Sequence, residues 1–294
     1  MRITVLGTPG GEGQRRLVRR AARRRIVIAL CALALAVLGA AGSVGYLTFL
    51  RPPANPPADA CAGGRPQGGG PVVVAAGASM TQGTLGRDWV GDLRKRPAFR
   101  GYEFVNAGDN GNTSADLRER IDSDVVACDP DAVILLIGTN DVRDGVPLEE
   151  YRDNLTAIIE RVRSRTSARV ALMSLPPLGE DLDSEINHRL RGYNAAIEEV
   201  ATRTGVGHVP VNERFTAHLR NQGHRPAYDF GFATAFWAAA KYYLLGRSWD
   251  EVARDNGLRL FVDHVHLSDR GGAVVTGLVA RWLSCAGGVA GGRP

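Results

Sequence analysis

The sequence predicts a three-layer α/β/α sandwich around a central parallel sheet of about five strands, preceded by one transmembrane helix. Three observations carry that expectation. Short apolar runs alternate with segments whose apolar residues recur at helical spacing. The runs end in glycine- and asparagine-rich polar turns. A separate stretch near the N-terminus, Ile26 to Leu50, holds 25 residues without one charged side chain.

From the N-terminus, residues 1–25 form a basic arm with eight arginines and one glutamate, a net +7 in a chain of net +5. The remaining residues therefore sum to −2, and no basic surface is predicted on the folded part, which argues against a nucleic-acid partner. At about 1.5 Å per residue, residues 26–50 are long enough to cross a hydrocarbon core of roughly 30 Å as a signal anchor. The preceding arginines should hold the N-terminus in the cytoplasm and place everything after Arg51 outside. A cleaved signal peptide is the competing reading, and it would make the domain secreted. Residues 51–70, dense in proline and glycine, read as an extended spacer. Residues 71–285 read as one domain, and the glycine-rich 286–294 as a disordered tail.

Within the domain, Val72 to Ala76, Tyr102 to Val105, Ala132 to Ile137, Arg169 to Met173 and Gly207 to Val211 are predicted strands. The first, third and fourth are nearly all apolar, as strands covered on both faces are. Ser114 to Val126, Leu148 to Arg163 and Ser184 to Arg203 are predicted helices; Leu148, Tyr151, Leu155, Ile158, Ile159 and Val162 share one side of the second. Repeated strand, helix, strand order means parallel pairing. Residues 221–260 form an aromatic-rich insertion with Tyr228, Phe230, Phe232, Phe236, Trp237, Tyr242, Tyr243 and Trp249. It reads either as a satellite helical pair, which we favour, or as a lid or acyl-chain pocket. Of the cysteines, Cys61, Cys128 and Cys285 face an oxidising compartment under this topology. Pairing of Cys61 with Cys285 is favoured, with Cys61 to Cys128 the main competitor. Cysteine spacing matches no zinc pattern.

In parallel α/β sheets ligands gather beyond the carboxyl ends of the strands. Gly77-Ala78-Ser79 follows the first strand, Asn106 to Thr113 the second, and Gly138-Thr139-Asn140-Asp141 the third, while Asp263-His264-Val265-His266 precedes the last helix. A hydroxyl, an imidazole and a carboxylate are the groups an acyl-enzyme mechanism needs. The Asp-x-x-His spacing favours His266 over His264 as the base. His188, His208, His218 and His224 read as surface or boundary residues. A phosphate-binding loop is excluded because no Gly-Lys-Ser/Thr follows the first strand. The Gly-x-Ser-x-Gly elbow of the α/β-hydrolases fails at Thr81.

These four blocks, in this order, resemble the SGNH hydrolases, also called GDSL esterases and lipases, across Val72 to Leu283. The resemblance implies the family's flavodoxin-like sandwich. It implies Ser79 as nucleophile, His266 as base and Asp263 as the orienting carboxylate. It also implies an oxyanion hole from the Ser79 and Gly111 N–H groups and the Asn140 amide. Ser174 to Gly179 is similar to the family's proline-rich loop. One departure is Ala78, where the family usually has an acidic residue. The implied function is a membrane-anchored extracytoplasmic serine esterase acting on an acyl or acetyl ester of a lipid or cell-envelope glycan, with no metal or organic cofactor. An acyltransferase using the same groups and a non-catalytic envelope binding protein are the alternatives. Expected partners are the acyl-ester substrate and, through residues 26–50, the membrane; a monomer is expected.

Overall fold

In the computed structural model, residues 11–220 and 226–285 are described. The first ten residues of the basic arm, the tail 286–294 and His224 therefore lie outside the described residues.

Five strands form one parallel sheet in the order β2-β1-β3-β4-β5. They are β1 (Val72–Gly77), β2 (Glu103–Gly108), β3 (Ala132–Leu136), β4 (Arg169–Met173) and β5 (Gly207–Val209). β1 and β3 are buried along their whole length, as their unbroken apolar composition requires. The strand order reverses direction at β1, which places the topological switch at the carboxyl ends of β1 and its neighbours. That end is where β1 runs into Ser79.

The helices in chain order are α1 (Gly11–Gly45), α2 (Pro57–Ala60), α3 (Ser79–Gln82), α4 (Trp89–Arg94), α5 (Ser114–Glu119), α6 (Ile121–Asp124), α7 (Thr139–Asp144), α8 (Leu148–Arg165), α9 (Glu185–Thr204), α10 (Val211–Leu219), α11 (Phe232–Leu245), α12 (Trp249–Asp255) and α13 (Asp269–Cys285). α5, α6, α8 and α9 pack together over one face of the sheet, and α4, α10, α12 and α13 over the other. α8 buries Tyr151, Leu155, Ile158, Ile159 and Val162, the face its 3.6-residue period defines. α9 begins after Ser184 and stops at Gly205, which takes a left-handed φ of 67° as helix-terminating glycines do.

Three expectations differ from what is observed. The helix expected over Ser114 to Val126 is broken into α5, α6 and a 3₁₀ turn at Val126–Cys128. Arg120 sits at the break, its side chain bonded to the carbonyls of Gly77 (2.9 Å) and Ala107 (3.0 Å), which pins the end of α5 to the ends of β1 and β2. The disulfide joins Cys61 to Cys128, not to Cys285. α2, which leads into Cys61, packs beside β2 and α6, whereas Cys285 ends α13 on the other face of the sheet and is free and exposed. Residues 51–70 are not a free spacer either. Asn55 accepts a backbone hydrogen bond from Asn106 (3.0 Å) and its side chain reaches the Phe104 carbonyl (2.9 Å), so this segment covers the open edge of β2.

α1 is exposed from Arg15 to Gly39 and packs against the domain only near its end, where it tightens into a π-helical turn, Tyr46–Leu50. By length and hydropathy this helix qualifies as a membrane span or a signal sequence. Val44 and Thr48 are fully buried, and Val44 shares an apolar cluster with Ala235, Ala238 and Ala239 of α11. α11 and α12 thus pack on each other, and α11 also rests on α1.

Candidate active site

Ser79 is the first residue of α3, directly beyond β1, so the abrupt strand-to-helix turn leaves its hydroxyl partly exposed at the sheet edge. The turn is tight because glycine stands where other backbones pass. A Cβ on Gly77 would collide with the Leu136 carbonyl, and one on Gly108 with the Gln82 backbone nitrogen. Gly83 closes α3 at φ 72°, a left-handed conformation glycine adopts without strain.

His266 lies on the loop before α13. Its Nε2 is 2.9 Å from Ser79 Oγ, and its Nδ1 is 2.7 Å from Asp263 Oδ2. Asp263 Oδ1 also accepts the backbone N–H groups of His266 (2.8 Å) and Val265 (3.2 Å). One carboxylate therefore fixes both the ring and the loop carrying it. Asp263 is fully buried, which by itself opposes ionisation. The charge and hydrogen bonds of His266, with the Val265 N–H, outweigh that burial and hold the carboxyl below its ordinary range. The Nδ1 contact leaves Nε2 as the basic nitrogen toward Ser79.

Of the remaining two predicted residues, Gly111 sits on a loop tied to Ser79's helix, and Asn140, in the first turn of α7, is tied to that loop. Asn110 N donates to Gln82 Oε1 at 2.6 Å, and Asn140 Nδ2 donates to the Asn112 carbonyl at 2.9 Å. Gly111 lies between these two ties, exposed and at φ 80°. The Asn140 amide has two protons, one of which is used on Asn112, while Arg143 Nη1 holds its Oδ1 at 3.1 Å. The second proton is left for another acceptor. All five predicted residues are thus brought to one edge of the sheet.

His264, two residues from His266, is at φ 74° and does not bond Ser79. It packs edge-on against Tyr228, and burial lowers its basicity against the opposing charges of Asp263 and Asp229.

Several site residues escaped the sequence reading. Phe230 lies with its ring 6.1 Å from that of His266, and the Arg143 guanidinium stands 4.4 Å from the Phe230 centroid. Buried Asp141 accepts from Ser114 N (3.0 Å) and from the Ser114 hydroxyl, joining the β3 turn to the start of α5. Its carboxyl is pushed up by burial, partly offset by the Ser114 hydrogen bonds. Asp141 was visible as the last residue of its block and Phe230 as part of the aromatic-rich insertion; Arg143 had no local signal, because its meaning is a contact between segments far apart in the chain. Among the described residues no group of three or more metal-ligating side chains is gathered.

The fold and this constellation define a serine-hydrolase class of protein, and the sequence matches the model of the GDSL-like Lipase/Acylhydrolase family over residues 75–274. The chain belongs to that family. It is 26% identical over 130 residues to an acetylxylan esterase of Geobacillus stearothermophilus, covering 41% of this chain and 59% of that protein. It is 31% identical over 119 residues to the uncharacterized lipoprotein YqeF of Bacillus subtilis (strain 168), covering 35% of this chain and 48% of that protein. The chain thus spans about half the length of the curated relatives it matches. Its fold is similar to the crystal structure of the acetyl xylan esterase AlAXEase, with a TM-score of 0.57 at 22% identity, over 72% of this chain and 99% of that one.

Proposed function

We propose that this protein is a membrane-anchored serine esterase that hydrolyses an acyl or acetyl ester of an envelope glycan or lipid through a Ser79 acyl-enzyme. The observation that carries the reading is the unbroken chain from Ser79 Oγ to His266 Nε2 (2.9 Å) and from His266 Nδ1 to Asp263 (2.7 Å).

Ser79 Oγ attacks the ester carbonyl as His266 Nε2 takes the hydroxyl proton. Asp263 stabilises the imidazolium that results. Negative charge developing on the carbonyl oxygen meets the Ser79 N–H, the Gly111 N–H and the free Asn140 amide proton. His266 then delivers its proton to the departing alcohol, leaving the acyl group on Ser79. Water, deprotonated by His266, attacks that ester, and the proton returns to Ser79 as the acid leaves.

Likeness to acetylxylan esterases favours an acetyl ester on a sugar. The half-buried Phe230 ring beside His266 suits the apolar face of a sugar ring. Outward placement of residues 71–285 is supported by the arginines before Ile26 and by the Cys61–Cys128 bridge, which persists in an oxidising compartment. Retention of residues 26–50 as an anchor is supported by the burial of Val44 and Thr48 against the domain, since cleavage would strip that cover away.

The reading is tested by exposing the full-length chain, in detergent, to a serine-reactive fluorophosphonate. Labelling of the wild type and none of Ser79→Ala is expected; equal labelling of both would sink it. A panel of acetylated glycans and longer acyl esters, run against the same pair, then identifies the substrate.

A further inference from the structure

The length of α1 that is free of the domain is too short to cross a bilayer. Ile26 to Gly39, the part of the apolar run with no protein around it, comprises 14 residues, and from Ala40 onward one side of the helix packs against the domain while Gly42 and Ser43 stay exposed. At about 1.5 Å per residue those 14 residues span about 21 Å, some 9 Å less than a hydrocarbon core of about 30 Å. Arg23, Arg24 and Arg25 bar an extension in the other direction. The shortfall corresponds to about six residues, which are Ala40 to Gly45.

Those six residues do not enter the bilayer alone. Val44 has no exposed surface and clusters with Ala235, Ala238 and Ala239 of α11, small side chains that let two helices approach closely. Phe49 stacks on Phe232 at 4.8 Å. Arg51 donates to the Tyr243 hydroxyl (3.2 Å), which donates to the Thr84 carbonyl (2.6 Å). Any immersion of Ala40 to Gly45 therefore carries α11 with it.

α11 is built for that position. It leaves Phe232, Trp237, Leu244 and Leu245 69%, 65%, 52% and 70% exposed, and Tyr46 and Leu50 at the end of the anchor are exposed as well. Ala233, Trp237 and Leu244, spaced by four and seven residues, share one side of the helix. The helix's one charged residue, Lys241, is turned to the domain, its Nζ 3.1 Å from Asn256 Oδ1. An exposed apolar patch that continues the surface of a transmembrane helix is one the same lipid covers.

We propose that α11 is an interfacial membrane helix, seated with its Trp237 and Leu244 side in the outer leaflet, so that the catalytic domain lies on the lipid surface rather than hanging from a spacer. The proposal rests on the reading of residues 26–50 as a membrane span. Phe230, two residues before α11, borders His266, so the seating holds the mouth of the site against the bilayer.

The test uses the full chain reconstituted in phosphatidylcholine vesicles with brominated acyl chains. Trp89 and Trp249 are buried and Trp282 lies at the far end of the domain's last helix, so Trp237 is the tryptophan exposed to acyl-chain quenching. Brominated lipid is expected to quench the wild type and not Trp237→Phe, and to quench again when Leu244→Trp is added to Trp237→Phe. In the same vesicles, with Cys285→Ser removing the other free thiol, Cys31 is expected to resist a polymer-linked maleimide until detergent is added. A protected Cys31 with no quenching difference between wild type and Trp237→Phe overturns the seating while the anchor stands. If, in addition, the chain is dimeric in nanodiscs and Trp237→Glu makes it monomeric, a second copy covers this face, which also overturns the proposal. A freely labelled Cys31 overturns the span and the seating together.

Discussion

Asn140 Nδ2 donates to the backbone carbonyl of Asn112 at 2.9 Å, joining the turn after β3 to the loop that carries Gly111. Two of the three proposed oxyanion donors are thereby held by one hydrogen bond. Asn140→Ala is expected to lower kcat by about 10²- to 10³-fold, the usual cost of one such donor, with KM little changed. The same change also frees the Gly111 loop, and so does Asn140→Asp, whose carboxylate has no proton for the Asn112 carbonyl and sets a negative charge where the oxyanion forms; its kcat should fall at least as far in steady-state assays.

Asp263→Asn should preserve the packing of this buried residue and still lower kcat by about 10⁴-fold, because an amide facing Nδ1 stabilises the wrong tautomer and no imidazolium. Circular dichroism reports the retained fold. Activity within tenfold of wild type would remove Asp263 from the mechanism.

His264 and His266 should separate cleanly. His266→Gln is expected to abolish fluorophosphonate labelling, whereas His264→Gln should keep it, since His264 faces Tyr228 and not Ser79.

The same loop sets two pH windows of stability. Burial holds His264 below its ordinary pKa, so on acidification the unfolded chain binds that proton first. Its contribution is complete above about pH 6.5 and is lost as the pH falls from there toward the folded value. Asp263 is also depressed, by His266 against the opposing effect of burial, so its contribution is complete above about pH 3.9 and is lost as the pH falls through the lower folded value. Urea midpoints measured against pH should show the upper loss in the wild type and not in His264→Gln.

Cys61–Cys128 closes a loop of sequence separation 67, for which the chain-entropy model gives about 4 kcal/mol. Cys128→Ser should lower the denaturation midpoint accordingly, while Cys285→Ser should leave it unchanged. Equal midpoints for Cys128→Ser and wild type would mean the bridge carries no stability.

Much of this was legible in the chain. Val72 to Ala76 and Ala132 to Ile137 announce buried strands by unbroken apolar composition, and the polar residues that follow each strand must emerge at one sheet edge. Asp263 and His266 are close in sequence, so their pairing is a local matter. Arg143 against Phe230, and Val44 under the alanines of α11, carry no such local signature. The break at Arg120 was hidden for a related reason, since the carbonyls that its side chain reaches, of Gly77 and Ala107, belong to β1 and β2.

The sequence by itself determined the sheet, the order of the four polar blocks and the apolar span, because strand burial, turn chemistry and hydropathy act over a few neighbouring residues. Only the tertiary structure decided that Cys61 meets Cys128, that residues 51–70 cover β2, and that α11 rests on the end of α1. Those outcomes depend on distances between segments far apart in the chain, and residue order alone carries no such distances.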